Sequence, residues 1–164
     1  MIDDIRGWSP NIRSKTVIRT GPKRLFIDPS IATASLNLSP KRLIYDLTTF
    51  GFIFENLCIR DLKIYSQTLK GQIYYYRDKL NLEVDCVIQL DDGRYALIEF
   101  KLGSKEEEKG AKNLLKIDKL IKNKIKQKQT KIPEPSFLAI ITGGKFAYTR
   151  DEGIKVIPIG CLKN

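Results

Sequence analysis

Histidine is absent from the 164-residue chain. That excludes Ser-His-Asp hydrolysis and histidine-held metal sites, so any hydrolysis must rest on carboxylates, lysine and metal. Cysteine is scarce and scattered: Cys58, Cys86 and Cys161 form no C-x-x-C pair. Isolated thiols in a reducing compartment fit this pattern better than disulfides or zinc ligands. No apolar run approaches the roughly 18 residues that span a membrane. The start carries Asp3 and Asp4 instead of a basic region before an apolar stretch, so a cytoplasmic protein with no membrane partner is expected. A G-x-x-x-x-G-K-[ST] phosphate loop is also missing, since Gly21-Pro22-Lys23 and Gly143-Gly144-Lys145 are too short. The chain therefore does not hydrolyse ATP by that route.

What is present is enough apolar content, 42% of residues, to bury one core of ordinary size. Residues 82–90 and 94–101 are runs rich in β-branched and aromatic residues, separated by Asp91-Asp92-Gly93, and they read as a β-hairpin. A loop of this length usually ends on a left-handed residue, the conformation glycine adopts most cheaply, so Gly93 sets the register. With Leu90 opposite Arg94, Asp85 falls opposite Glu99, Glu83 opposite Lys101 and Val87 opposite Leu97 on one face. The other face then carries Val84 with Phe100, Cys86 with Ile98 and Ile88 with Ala96, all apolar. A slip by one residue would mix polar with apolar positions and separate Asp85 from Glu99 and Lys101.

Two facing carboxylates repel unless a cation or a lysine compensates. Hard oxygen ligands with few neighbours suit Mg²⁺, or Mn²⁺, which keeps several waters and takes phosphate oxygens as remaining ligands. Lys101 would orient an attacking water or offset charge on a phosphate. The competing interpretation is a solvent-facing ion-pair cluster, with Glu83 and Lys101 as a cross-strand pair.

Around the hairpin, residues 49–69 place Phe50, Phe54, Leu57, Cys58, Tyr65 and Leu69 at helical steps, widened by Ile53 and Ile64, with Glu55 beside the stripe. Ser104 and Glu107 form a capping-box pattern that opens a long helix through Ala111, Leu114, Ile117, Ile121 and Ile125. Residues 136–142 read as a buried strand, and 146–149 and 154–158 as closing edge strands joined through Asp151-Glu152-Gly153. Residues 1–46 read as an N-terminal arm packed on the core through Trp8 and Pro10, with short helices starting at Asp28-Pro29 and Ser39-Pro40. Residues 47–164 form the main domain. The expected class is mixed α/β, in the order helix, strand, strand, strand, helix, strand, with a central mixed sheet flanked by helices.

That order, with Glu55 on the first helix and Asp85, Glu99 and Lys101 on the hairpin, resembles the PD-(D/E)xK nuclease superfamily, whose fold is restriction-endonuclease-like. The segments Trp8–Lys15, Pro22–Pro29, Thr49–Asn56, Tyr76–Lys79, Leu82–Asp85, Ile98–Gly103, Ala111–Leu115 and Val156–Gly160 are similar to an uncharacterised domain that follows an AAA-type ATPase module in many bacterial and archaeal proteins. The resemblance implies Glu55, Asp85, Glu99 and Lys101 as catalytic residues, with Asp85, Glu99, Glu55 and the Phe100 backbone carbonyl as Mg²⁺ ligands. It also implies DNA as substrate and an ATPase module in cis as partner. Some members of the superfamily add a Gln/Tyr signature on the following helix, where this chain has Lys112 and Asn113.

The net charge of +10 permits nucleic-acid binding. Ten lysines fall within residues 105–131, and with the basic stretch 13–24 they suggest Lys112, Lys116, Lys119, Arg19 and Lys23 as phosphate contacts. The same helix also suits a solvated face, since Glu106, Glu107 and Glu108 open it and lysines close it, as the helix dipole prefers. Two functions follow: a Mg²⁺-dependent nuclease, or a catalytically inactive nuclease-like module that binds nucleic acid or regulates an ATPase.

Overall fold

The computed structural model describes residues 2–9, 21–78 and 81–162. Gly93 has φ +87°, and the Leu90 amide donates to the Arg94 carbonyl at 2.8 Å. The hairpin strands β4 (Glu83–Gln89) and β5 (Tyr95–Lys101) pair antiparallel, with Cys86 opposite Ile98, Val87 opposite Leu97 and Ile88 opposite Ala96. This is the register that the glycine turn dictates.

One face differs from the sequence expectation. On β3 (Gln72–Arg77), Tyr74 pairs with Val87 but Tyr76 pairs with Val84. Asp85 and Cys86 therefore face Tyr75 together, an extra residue on β4 that reverses the alternation. Val84 joins Val87 and Leu97 in one core cluster, while Cys86, Ile98 and Phe100 lie in the other. The all-apolar face is thus broken at Val84.

Among the described residues the sheet has eight strands, in the order β2-β1-β3-β4-β5-β6-β8-β7. The remaining strands are β1 (Ile2–Gly7), β2 (Lys23–Phe26), β6 (Phe137–Thr142), β7 (Tyr148–Thr149) and β8 (Lys155–Pro158). β1 lies parallel to β3, β6 is parallel to both β5 and β8, and the other pairs are antiparallel. The fold is mixed α/β, with helices flanking a mixed sheet.

The segment before residue 47 is more than a helical arm. It adds β1 and β2 to the sheet, a role that the polar run Ile2-Asp3-Asp4-Ile5-Arg6-Gly7 hides because it lacks sustained alternation. Its two short helices form as expected: α1 (Pro29–Ser35) is capped by Asp28 and α2 (Pro40–Tyr45) by Ser39. Trp8 is buried against Tyr76 and Tyr95, and its indole donates to Gln89 Oε1 at 2.9 Å. Pro10 lies outside the described residues.

On one side of the sheet, α3 (Leu47–Gln67) buries Phe54, Cys58, Ile59 and Leu62. Ile64 and Leu69, expected in the stripe, are exposed, and Ile59 and Leu62 occupy the core instead. On the other side, α4 (Ser104–Lys126) buries Ala111, Leu114, Ile117 and Ile121. Its capping box does not form. Gly103 takes the N-cap in an extended conformation without a side-chain bond, which puts Ser104 inside the helix. Glu107 accepts instead from the Tyr148 hydroxyl at 2.5 Å. The three cysteines are free, with Cys58 and Cys86 buried. Among the described residues no helix is long and apolar enough to cross a membrane.

Candidate functional site

Cys86–Ile98 is the outermost ladder pair of the hairpin. Beyond it the Phe100 amide donates to Asp85 Oδ2 at 2.9 Å, so a side-chain carboxylate continues the contact between strands. Lys101 Nζ lies 3.4 Å from the same oxygen and 2.7 Å from Glu99 Oε2. One ammonium thus bridges the two acids. The Phe100 amide and Lys101 both meet Asp85 through Oδ2.

Glu99 is only 3% exposed. Its Oε1 accepts from Asn113 Nδ2 at 2.6 Å, and the same amide donates to the Glu83 carbonyl at 2.5 Å. α4 approaches this closely because position 110 is glycine. A Cβ there would stand 3.1 Å from Lys101 Cε and 3.3 Å from its Cγ, closer than side chains normally pack. Lys101 runs across the bare helix backbone.

Glu55 on α3 completes the acidic set through Asp85, whose charge it senses. Lys23 of β2 forms an ion pair with Glu55 Oε1. Burial pushes the Glu55 carboxyl up, and Lys23 only partly opposes this. Burial also pushes Glu99 up, to about 7, with the Asp85 charge adding to it against Lys101 and Asn113. Burial alone would lower the Lys101 ammonium, but the charges of Asp85 and Glu99 hold it above the usual lysine range. Burial is likewise the largest single effect on Lys23 and pulls it down, but the charge and hydrogen bond of Glu55, with the charges of Asp85 and Glu83, together leave it raised. Both lysines are therefore firmly protonated at neutral pH, while Glu99 is poised to exchange a proton.

Two open clefts meet at this cluster, of about 880 and 700 Å³. Phe52, Glu55 and Asp85 line both. Lys23, Arg24, Arg77 and Glu83 also line the larger, and Lys101, Lys105, Lys109 and Glu106 the smaller, so cations and carboxylates balance in each. Phe100 contributes to the smaller cleft as well.

The structure brings Glu55, Asp85, Glu99 and Lys101 to one end of the sheet. The expected Glu83–Lys101 pair does not form, because the bulge at Asp85 shifts the strand ends. Glu83 pairs with Arg77 Nε at 2.8 Å, and Lys101 turns to Asp85 and Glu99. Lys23, expected on a phosphate-binding surface, is held inside the cluster by Glu55. Lys116 and Lys119 are exposed on α4, as is Lys112, which lies 3.3 Å from Glu108. Arg19 is outside the described residues.

The sequence points to Lys23 as a phosphate contact and to Asn113 at the helix-signature position, not to either as a partner of the acids, and Gly110 is not among the expected participants. A glycine inside a helix costs about 1 kcal/mol relative to alanine, so Gly110 was a signal that close packing was required.

As a donor set, Asp85 and Glu99 offer hard oxygens close together, and Glu55 lies in electrostatic reach. Among the described residues no group of three or more His, Cys, Asp or Glu side chains is gathered tightly enough to cage a metal ion. An ion here would be held by no more than two carboxylates, with water and phosphate oxygens completing its shell. Among known families, a model described as a domain of unknown function, DUF4143, matches residues 50–162. The match takes in Glu55, Asp85, Glu99, Lys101, Gly110 and Asn113 and leaves out Lys23. No curated protein matches the chain, and no solved structure does.

Proposed function

The chain belongs to the DUF4143 family, a domain of unknown function, and from its site we propose that it is a Mg²⁺-dependent nuclease domain with a restriction-endonuclease-like core. The observation that carries this reading is the bridge Asp85–Lys101–Glu99, two acids held by one lysine, with Asp85 at the junction of two open clefts of mixed charge. Asp85 and Glu99 would hold the metal, with the Phe100 carbonyl and Glu55 as further ligands. When bound, Mg²⁺ supplies Lewis-acid stabilisation to a phosphodiester and makes water a better nucleophile. The chain's own contribution is positional. Lys101, kept protonated by its two partners, donates toward an attacking water or a phosphate oxygen. Asn113 fixes the Glu99 carboxylate so that it does not rotate away. Lys23 neutralises Glu55 at the wall of the larger cleft. DNA is the proposed substrate, an ATPase module in cis the proposed partner, and the cytoplasm, where Cys58 and Cys86 stay reduced, the proposed compartment.

The test is cleavage. The protein should cut DNA with Mg²⁺ or Mn²⁺ but not with EDTA, and Asp85→Ala and Lys101→Ala should each abolish cutting while the fold is retained. Intact substrate across DNA and RNA with either metal would overturn the proposal.

One observation favours a second reading. Lys101 already compensates Asp85 and Glu99, and among the described residues every buried side-chain nitrogen or oxygen has a partner. A satisfied ion-pair network can serve as scaffold in an inactive module that binds nucleic acid or regulates an ATPase. In that case the folded protein binds nucleic acid, and Asp85→Asn leaves metal uptake unchanged.

A further inference from the structure

Phe52 is 67% exposed, although it lies on α3 two residues from the buried Phe54. Leaving a ring of that size in water forgoes on the order of 1.5–3 kcal/mol of burial, and its position gives a reason. It precedes Glu55 by three residues, so both side chains sit on one face of the helix, about 4.5 Å apart along its axis. With Glu55 and Asp85, it is one of the residues shared by both clefts. Lys23 and Arg24 lie on one side of it, and Lys105 and Lys109 on the other.

Each cleft carries three cations and three carboxylates, and Lys23, Arg77 and Lys101 are paired with acids. An apolar ring with Arg24 in one cleft and Lys105 and Lys109 in the other matches the demands of an unpaired nucleotide. The phosphates on either side meet ammonium and guanidinium groups, and the base between them needs a π-face to lie on. A base inside a duplex has both faces covered by its neighbours and has none to offer. We infer that Phe52 is a base-stacking subsite and that the nucleic acid bound in these clefts is single-stranded, or unpaired, beside Asp85. This rests on the proposed nuclease reading and narrows its substrate class. Leu36 lines the larger cleft and Leu47 the smaller, and both are exposed. They extend the apolar surface, which makes a protein partner the competing occupant.

The experiment is fluorescence anisotropy in EDTA, so that binding is read without cleavage. The probes are a short labelled DNA strand, the same strand annealed to its complement, and the same strand with abasic sites. The wild-type protein should bind the strand more tightly than the duplex. Phe52→Ala should weaken strand binding about tenfold, within the range of one lost stacking contact, leave duplex binding unchanged and add nothing to the loss caused by abasic sites. Phe52→Trp should restore affinity. Equal loss on strand and duplex, or no loss on either, would overturn the inference, and the latter would assign the ring to a protein-facing surface. Because no metal is present, stacking without later cleavage would sink the nuclease proposal alone, and cleavage without stacking would sink this one alone. Failure to bind any probe would overturn this inference, and cleavage with Mg²⁺ or Mn²⁺ would still decide the nuclease proposal.

Discussion

The side-chain amide of Asn113 lies 2.6 Å from Glu99 Oε1 and ties α4 to the most buried acid of the cluster. Replacing it with leucine leaves that oxygen and the Glu83 carbonyl without their donor. A cost of about 1–3 kcal/mol is expected, read as a lower midpoint in urea unfolding at unchanged slope. Asn113→Asp should cost more at pH 8, because it sets a second negative charge against Glu99.

Gly110 separates stability from positioning. Alanine improves helix propensity by up to about 1 kcal/mol, but its Cβ crowds the Lys101 stem. Gly110→Ala should leave the melting temperature near that of the wild type while lowering metal-dependent cleavage at least tenfold, measured as initial rate on the same substrate. Unchanged cleavage would show that the path of Lys101 over the helix is immaterial.

The pH dependence of stability follows from Glu99. Its folded-state pKa, about 7, lies above the ordinary carboxylate value of 4.5, so between these the native state holds a proton that the unfolded state has lost. Stability conferred by that proton is fully present below about pH 4.5 and is lost as pH rises through 7. Glu55, also raised by burial, adds in the same direction. Glu99→Gln should flatten this slope and stabilise the protein at pH 8 by on the order of 1–3 kcal/mol, followed by thermal unfolding across the range. Function at this position is thus expected to oppose stability.

Much of the hairpin was legible in the sequence because it is local. Gly93 and the alternation around it set the register without reference to anything else. The bulge was not, because it belongs to the pairing of β4 with β3, and the sequence of β4 alone carries no mark of where a third strand shifts. Lys23 reaches Glu55 across 32 residues, and such a contact depends on where β2 joins the sheet. Asn113 and Gly110 sit on a helix whose rotation is set by Leu114 and Ile117 packing on the sheet, so helical periodicity gave their face but not their target. Ser104 was misjudged because Gly103 adopts the extended N-cap conformation itself, one residue earlier.

The lysines of α4 make a quantitative prediction about salt. Lys112, Lys116 and Lys119 recur at steps of four and three residues along one exposed face. If they contact phosphates, changing all three to alanine lowers the slope of log affinity against log salt by about two to three. A solvated face leaves the slope unchanged.

The most direct test of the central claim is a Mn²⁺ titration of the wild type and Asp85→Asn, followed by the loss of the free-ion paramagnetic resonance signal. The account predicts that the wild type takes up the ion, that Asp85→Asn does not, and that both proteins show the same circular dichroism. Equal uptake by the two proteins, or none by the wild type, would contradict it and leave Asp85, Lys101 and Glu99 as a structural ion-pair network.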